Sequence, residues 1–155
     1  MANDLEQEVD RLLSGSAEDV PEPKTVPPGE WRLRIVGGKM KRRGENDNPK
    51  SPLRKALFTC QPVTPGDDVN PILLEESADW TNEQVFLEIP IFNTRDLYTL
   101  SQFVTEKLGI DAEAGSLEDL VEKQARGREF YGVVKHRDRG KDRGPAAEIV
   151  QTRAA

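Results

Sequence analysis

Lysine and arginine gather in two stretches of this chain. The first cluster comprises Arg32, Arg34, Lys39, Lys41, Arg42, Arg43, Arg54 and Lys55, and the second Lys135, Arg137, Arg139, Lys141 and Arg143. Phe86 and Tyr131 stand where alternation assigns them to the outer face of their segments. Side chains of these types do one kind of chemistry together: cations along a groove meet phosphates, and aromatic faces stack on unpaired bases. The alternative for each cluster is an ordinary solvated hairpin with a charged loop, which needs no ligand.

Catalytic chemistry finds less support. His136 lies beside Lys135, Arg137 and Arg139, where it adds to a cationic surface rather than acting as a base. The run VGGKMK lacks the spacing of a phosphate-binding loop. The pairs Asp67-Asp68 and Glu75-Glu76 fall in an expected loop, and Glu88 is the one carboxylate assigned to a strand. With one cysteine, Cys60, and one histidine, neither a zinc finger nor an internal disulfide can be assembled, and Cys60 is expected in the core. The expectation is therefore a non-enzyme without metal or cofactor.

The formal net charge of −6 hides a segregated distribution. Residues 1–30 carry −6, residues 31–61 carry +7, residues 62–125 carry −11 and residues 126–155 carry +4. Segregation of this kind makes local fields that the net charge conceals. Hydrophobic content of 35% against 32% charged residues implies one modest core plus tails. No apolar run approaches the roughly 20 residues that span a bilayer. The opening MANDLEQEVDRLL is acidic and lacks the layout of a signal peptide, so a cytoplasmic location is expected.

The elements that must position the cations follow from periodicity. Residues 3–13 predict a short amphipathic helix with Leu5, Val9, Leu12 and Leu13 on one side, and 14–28 read as a linker. Residues 1–25 are thus expected as an acidic, partly disordered tail, and 26–153 as the domain. From Trp31 the chain alternates, Trp31, Leu33 and Ile35 inward and Arg32 and Arg34 outward, until Gly37-Gly38 marks a bulge or kink. A second strand reaches Cys60, with Phe58 at core parity. Pro62–Asn82, with three prolines and five acids, predicts a long acidic loop holding one helical turn near Ile72–Glu76, with Trp80 at the core edge. The run QVFLEIPI predicts a third strand, with Pro90 at an edge or a strand end. Asn93 or Thr94 can cap a helix that buries Leu97, Leu100, Val104 and Leu108 and stops at Gly109. Ser116 with Asp119 opens a shorter helix bearing Leu117, Leu120 and Val121, broken at Gly127. Residues 128–136 and 146–152 supply the last two strands, joined by the charged loop HRDRGKDRGP.

The order β-β-β-α-β-β, mainly β with a helical segment between strands 3 and 4, resembles the OB-fold, a five-stranded Greek-key barrel. Three stretches, PPGEWRLRIVGGKMKR, RDLYTLSQFVTEKLGI and GREFYGVVKHRDRGKDRGPAAEIVQ, resemble phage-encoded single-stranded-DNA-binding proteins over roughly residues 26–153. The chain departs from bacterial relatives of that family in ending QTRAA, and its acidic tail is N-terminal. The resemblance implies non-catalytic coating of single-stranded DNA in replication or recombination, in the host cytoplasm. The acidic tail, with its Leu5, Val9, Leu12 and Leu13 stripe, is expected to offer a contact for replication or recombination proteins or for self-association. Two other functions stay open: a protein-interaction or structural adaptor on the same barrel, and a nuclease. Duplex recognition is disfavoured, because no helix is basic enough for a major groove.

Overall fold

Apolar alternation builds the strands, and bulges let the first strand serve two neighbours. The computed structural model describes residues 2–17, 26–76, 80–137 and 146–155. β1 (Gly29–Arg42) buries Trp31, Leu33 and Ile35 completely. β2 (Arg54–Pro65) buries Ala56, Phe58 and Cys60 in the same manner. β3 is Val85–Ile91, β4 Glu129–Arg137 and β5 Ala146–Ala154. The sheet closes on itself in the order β1-β2-β3-β5-β4, with β1 antiparallel to both β2 and β4. β3 meets β5 in parallel at Phe86 and Glu148. Five strands in this order, with the helical segment between β3 and β4, form an OB-fold barrel.

The register of β1 against β2 shifts between Ile35 and Gly37, where the glycine pair stands, and again between Arg32 and Leu33. Such bulges bend a strand and raise its twist, which a barrel corner requires. The two glycines have different duties. A Cβ on Gly38 would lie 2.1 Å from the Val121 carbonyl oxygen, whereas one on Gly37 would meet nothing within 4 Å. Gly38 is therefore the point where the second helical segment packs directly on the β1 backbone.

Helical elements plug and border the barrel. α1 is Ala2–Leu13 and α2 is Pro71–Glu76. α3 (Thr94–Gln102) is capped by Asn93, whose Oδ1 accepts from the Asp96 amide at 3.1 Å. It continues as a π-helical turn over Phe103–Lys107, closed by the Leu108 amide donating to the Phe103 carbonyl at 3.0 Å. α4 (Leu117–Asp119) is capped by Ser116 and widens likewise over Leu120–Gln124. Gly109 and Gly127 end these segments with φ of +71° and +87°, a left-handed conformation that glycine adopts without strain.

The expected stripe of the first of these helices is corrected at two positions. Leu100, Val104 and Leu108 are buried, but Leu97 is 39% exposed and Phe103 takes a core place instead. Phe103 stands three residues past Leu100 on the same helical face, and the π turn carries that face on from Val104 to Leu108. Phe103 then links Phe58 and Phe130, at centroid distances of 5.1 and 5.2 Å, into an aromatic core. At the other end Trp31 donates its Nε1–H to the Pro27 carbonyl at 2.8 Å and meets Trp80 edge-on at 4.9 Å. Trp80 thus sits at the core edge, as the sequence indicates. Cys60 is also core, and burial pushes its thiol up to about 12.

A second correction concerns β2, which runs on to Pro65 instead of ending near Cys60. Beyond Cys60 the strand pairs only with β1, because β3 begins opposite it at Val85. Prolines are tolerated there because one side of the strand has no ladder to supply. Pro90 of β3 follows the same logic: it lies past the Phe86–Glu148 contact, where β3 has an open edge. The acidic stretch therefore starts at Gly66, and its Asp68 Oδ1 accepts from the Glu30 amide at 2.9 Å. No helix among the described residues is long and apolar enough to cross a membrane.

Candidate nucleic-acid interface

The strand registers bring residues from all five strands into rows on the barrel exterior. Gly37 opposes Thr59, Thr59 opposes Phe86, Phe86 meets Glu148, and Glu148 opposes Lys135. The next row runs Lys39, Leu57, Glu88, and the one beyond it Lys41, Lys55, Pro90. Lys39 and Lys135, one from each basic region, thus flank the Phe86 row from its two ends, Lys39 on β1 and Lys135 on β4 opposite Glu148. A groove of about 590 Å³ opens along these rows, with Phe86, Thr59, Leu57 and Lys39 in its lining. The Phe86 ring is 51% exposed in it.

Electrostatics distinguish this surface from an ordinary hairpin. Lys41 stands directly opposite Lys55, and Arg42 opposite Arg54. Like charges facing each other across a ladder are destabilising. Lys55 is relieved by Glu88 at 3.1 Å, while Lys39, Lys41 and Arg42 form no ion pair with any described residue. Cations without a counter-charge gain from a polyanion laid across the strands.

The remaining cations named from the sequence occupy other settings. Arg43 turns back into the β1–β2 loop, its Nη1 donating to the Pro49 and Ser51 carbonyls at 2.7 and 3.2 Å. Its task there is to order the loop. Arg54 donates to the Leu53 carbonyl at 2.9 Å. Arg32 and Arg34 converge on Glu129, at 2.5 and 2.8 Å, and hold its carboxyl below the usual range through those hydrogen bonds. Arg137 ends β4, and its side chain lies outside the described residues, as do Arg139, Lys141 and Arg143.

Tyr131 has the outward parity expected of it, but its ring is half-buried on a different part of the barrel from Phe86. Arg153 stacks over it at 4.2 Å and Arg32 stands 5.9 Å from its centroid. Arg153 is in turn held by both oxygens of Glu30, at 2.6 and 2.9 Å, which lowers the Glu30 pKa chiefly by hydrogen bonding. Arg32, Arg34, Glu129, Glu30, Arg153 and Tyr131 form one self-satisfied lattice across β1, β4 and β5.

Sequence reasoning missed Glu30, Glu129 and Arg153, whose partners lie 95 to 123 residues away. Glu30, Glu129 and Glu148 are strand carboxylates too, so Glu88 is not alone in that respect. Among the described residues no three His, Cys, Asp or Glu side chains gather closely enough to hold a metal ion. Phe92 (52% exposed) and Tyr98 (65%) were also missed. The outward alternation Phe86, Glu88, Pro90 extends to Phe92, which was the available signal. His136, placed on a cationic surface by its neighbours, donates from Nε2 to the Val26 carbonyl at 2.7 Å and ties down the start of the barrel.

Fold and surface together define an OB-fold barrel whose β2–β3 face carries an open aromatic ring in a groove lined by Lys39, Glu88 and Glu148. That is the face, with its flanking loops, on which barrels of this class hold oligonucleotides. No family model and no curated protein matches the chain. Among solved structures, a yeast RPA bound to ssDNA is similar over 94% of this chain and 85% of that chain, at 10% identity and a TM-score of 0.34. A likeness so slight carries no weight beside the strand order and register, on which the class rests.

Proposed function

We propose that this chain binds single-stranded DNA, without catalysis and with little overall sequence preference, as a strand-coating protein of phage replication or recombination. The observation that carries the reading is the β1–β2–β3 surface. There Lys39 and Lys41 form no ion pair with any described residue, and Phe86 stands open on the same face. Phosphates neutralise Lys39 and Lys41, and a base stacks on Phe86 for about 1–3 kcal/mol. A duplex offers the phosphates but not the free base face, so single strands gain more. The barrel supplies rigid strands for both groups, and the reading needs no metal or cofactor.

Titration of a labelled dT oligonucleotide and of a blunt duplex at low salt tests this, with a magnesium arm. The expected result is saturable binding, tighter for the single strand, with the oligonucleotide intact after magnesium. Absence of binding would leave the adaptor reading in its place, and shortening of the oligonucleotide would make the protein a nuclease.

A further inference from the structure

The groove over Phe86 has walls of both signs, and this bears on which base it takes. Lys39 lines it on the β1 side, while Glu148 shares the row of Phe86 and Glu88 lies two residues along β3 on the same face, about 7 Å away. Both carboxylates have contacts within the protein, yet a carboxylate in one contact keeps further lone pairs, which a phosphate cannot use and a base donor can. Their chemistry suits the base instead.

An ionised carboxylate only accepts hydrogen bonds, at roughly four lone-pair sites. The contact from Lys55 to Glu88 Oε1, at 3.1 Å, uses part of that capacity and orients the group. The Watson–Crick edges of unstacked bases are read in single strands by such groups. Guanine presents adjacent N1–H and N2–H donors that match the two oxygens of a carboxylate. Cytosine and adenine each present one amino group. Thymine sets its N3–H between two carbonyl oxygens, which face a carboxylate unfavourably.

We infer that the groove is a base subsite that selects guanine over thymine, with Phe86 as stacking floor and Glu88 and Glu148 as acceptors. It rests on the single-strand reading above and deepens it: most of the bound strand is held without regard to sequence, and one position is read.

The test is fluorescence anisotropy with a short labelled dT oligonucleotide and versions carrying one central dG, dC or deoxyinosine. The dG version should bind about tenfold tighter than dT, at the low end of a bidentate base contact. Deoxyinosine, lacking the 2-amino group, should lose most of that gain. In the double variant Glu88→Gln, Glu148→Gln the dT affinity should rise, because repulsion is removed, while the dG-to-dT ratio falls toward one. Phe86→Ala should lower both affinities and the ratio. Equal binding of dG and dT by the natural chain, or of dG and deoxyinosine, overturns the inference and leaves single-strand binding standing. A ratio that survives both glutamine substitutions in folded protein also overturns it. Failure to bind any of these oligonucleotides overturns the single-strand reading as well.

Discussion

Arg153 lies 4.2 Å from the centroid of the Tyr131 ring while both oxygens of Glu30 grip its guanidinium. The contact separates two outward aromatics that alternation alone makes equivalent. Tyr131 has a cation stacked on it, and Phe86 is open. Replacing Phe86 with alanine should weaken single-strand binding by about 1–3 kcal/mol and leave the melting temperature unchanged. Tyr131→Ala should do the reverse, lowering the melting temperature with little effect on affinity. Measuring both quantities on both variants decides the matter. If Tyr131→Ala is the one that loses affinity, the strand runs over the β1–β4–β5 face instead.

Gly38 and Gly37 offer a paired test of the packing beneath that surface. Gly38→Ala forces a Cβ to within 2.1 Å of a backbone oxygen, so it should destabilise by about 1–3 kcal/mol or more. Gly37→Ala has open space and should stay within about 0.5 kcal/mol of the natural chain. Denaturant midpoints of the two variants check this. Equal loss in both would mean that the bulge, not the helix contact, sets the need for glycine.

The Glu129 and Glu30 pairs give stability a defined pH dependence. Hydrogen bonds from Arg32 and Arg34, and from Arg153, hold the folded carboxyls below the ordinary range. Their contribution is therefore complete above the unfolded value of about 4.3 and is lost as pH falls through the lower folded values. The melting temperature should drop over this acid window, and Glu129→Gln should flatten part of the drop. Because the pairs are solvent-accessible, added salt should shrink the effect. A Glu129→Gln curve parallel to that of the natural chain would show the lattice to be energetically idle.

The legible and illegible parts of the fold divide by distance along the chain. Trp31, Leu33 and Ile35, the Asn93 and Ser116 caps, and the stops at Gly109 and Gly127 are local signals, and each holds in the structure. The bulge at Gly37 was visible because glycine breaks alternation. Leu97, in the first turn of α3, is 39% exposed, while Phe103, three residues past Leu100, fits the same periodicity and takes the core place. Pro62 and Pro65 looked like loop residues because only the pairing of β3 shows that one side of β2 is open there. The site divides in the same way. Lys39, Lys41 and Phe86 were legible as types and parities, but the pairing that occupies Arg32, Arg34 and Tyr131 depends on register between β1, β4 and β5.

The acidic N-terminus supplies a further prediction. Residues 1–25 hold seven acids against Arg11 and Lys24, and α1 leaves Val9 45% and Leu13 78% exposed. Connection through the same chain keeps the tail near the basic surface at an effective concentration of order millimolar. We hypothesise that it competes with the strand there and becomes free for protein partners on binding. Deleting residues 1–25 should then raise single-strand affinity several-fold at low salt, with the gain shrinking as salt rises. An unchanged affinity after deletion would reduce the tail to a solubiliser or a partner handle.

The most direct measurement is the salt dependence of dT oligonucleotide affinity, for the natural chain and for Lys39→Ala, Lys41→Ala. Phosphate contact by Lys39 and Lys41 should make log affinity fall linearly with log salt, by about 0.7 for each phosphate neutralised. The double variant should bind more weakly, with a slope shallower by about 1.4. An affinity indifferent to salt, or a slope that both substitutions leave unchanged, would contradict single-strand binding on the β1–β2–β3 face.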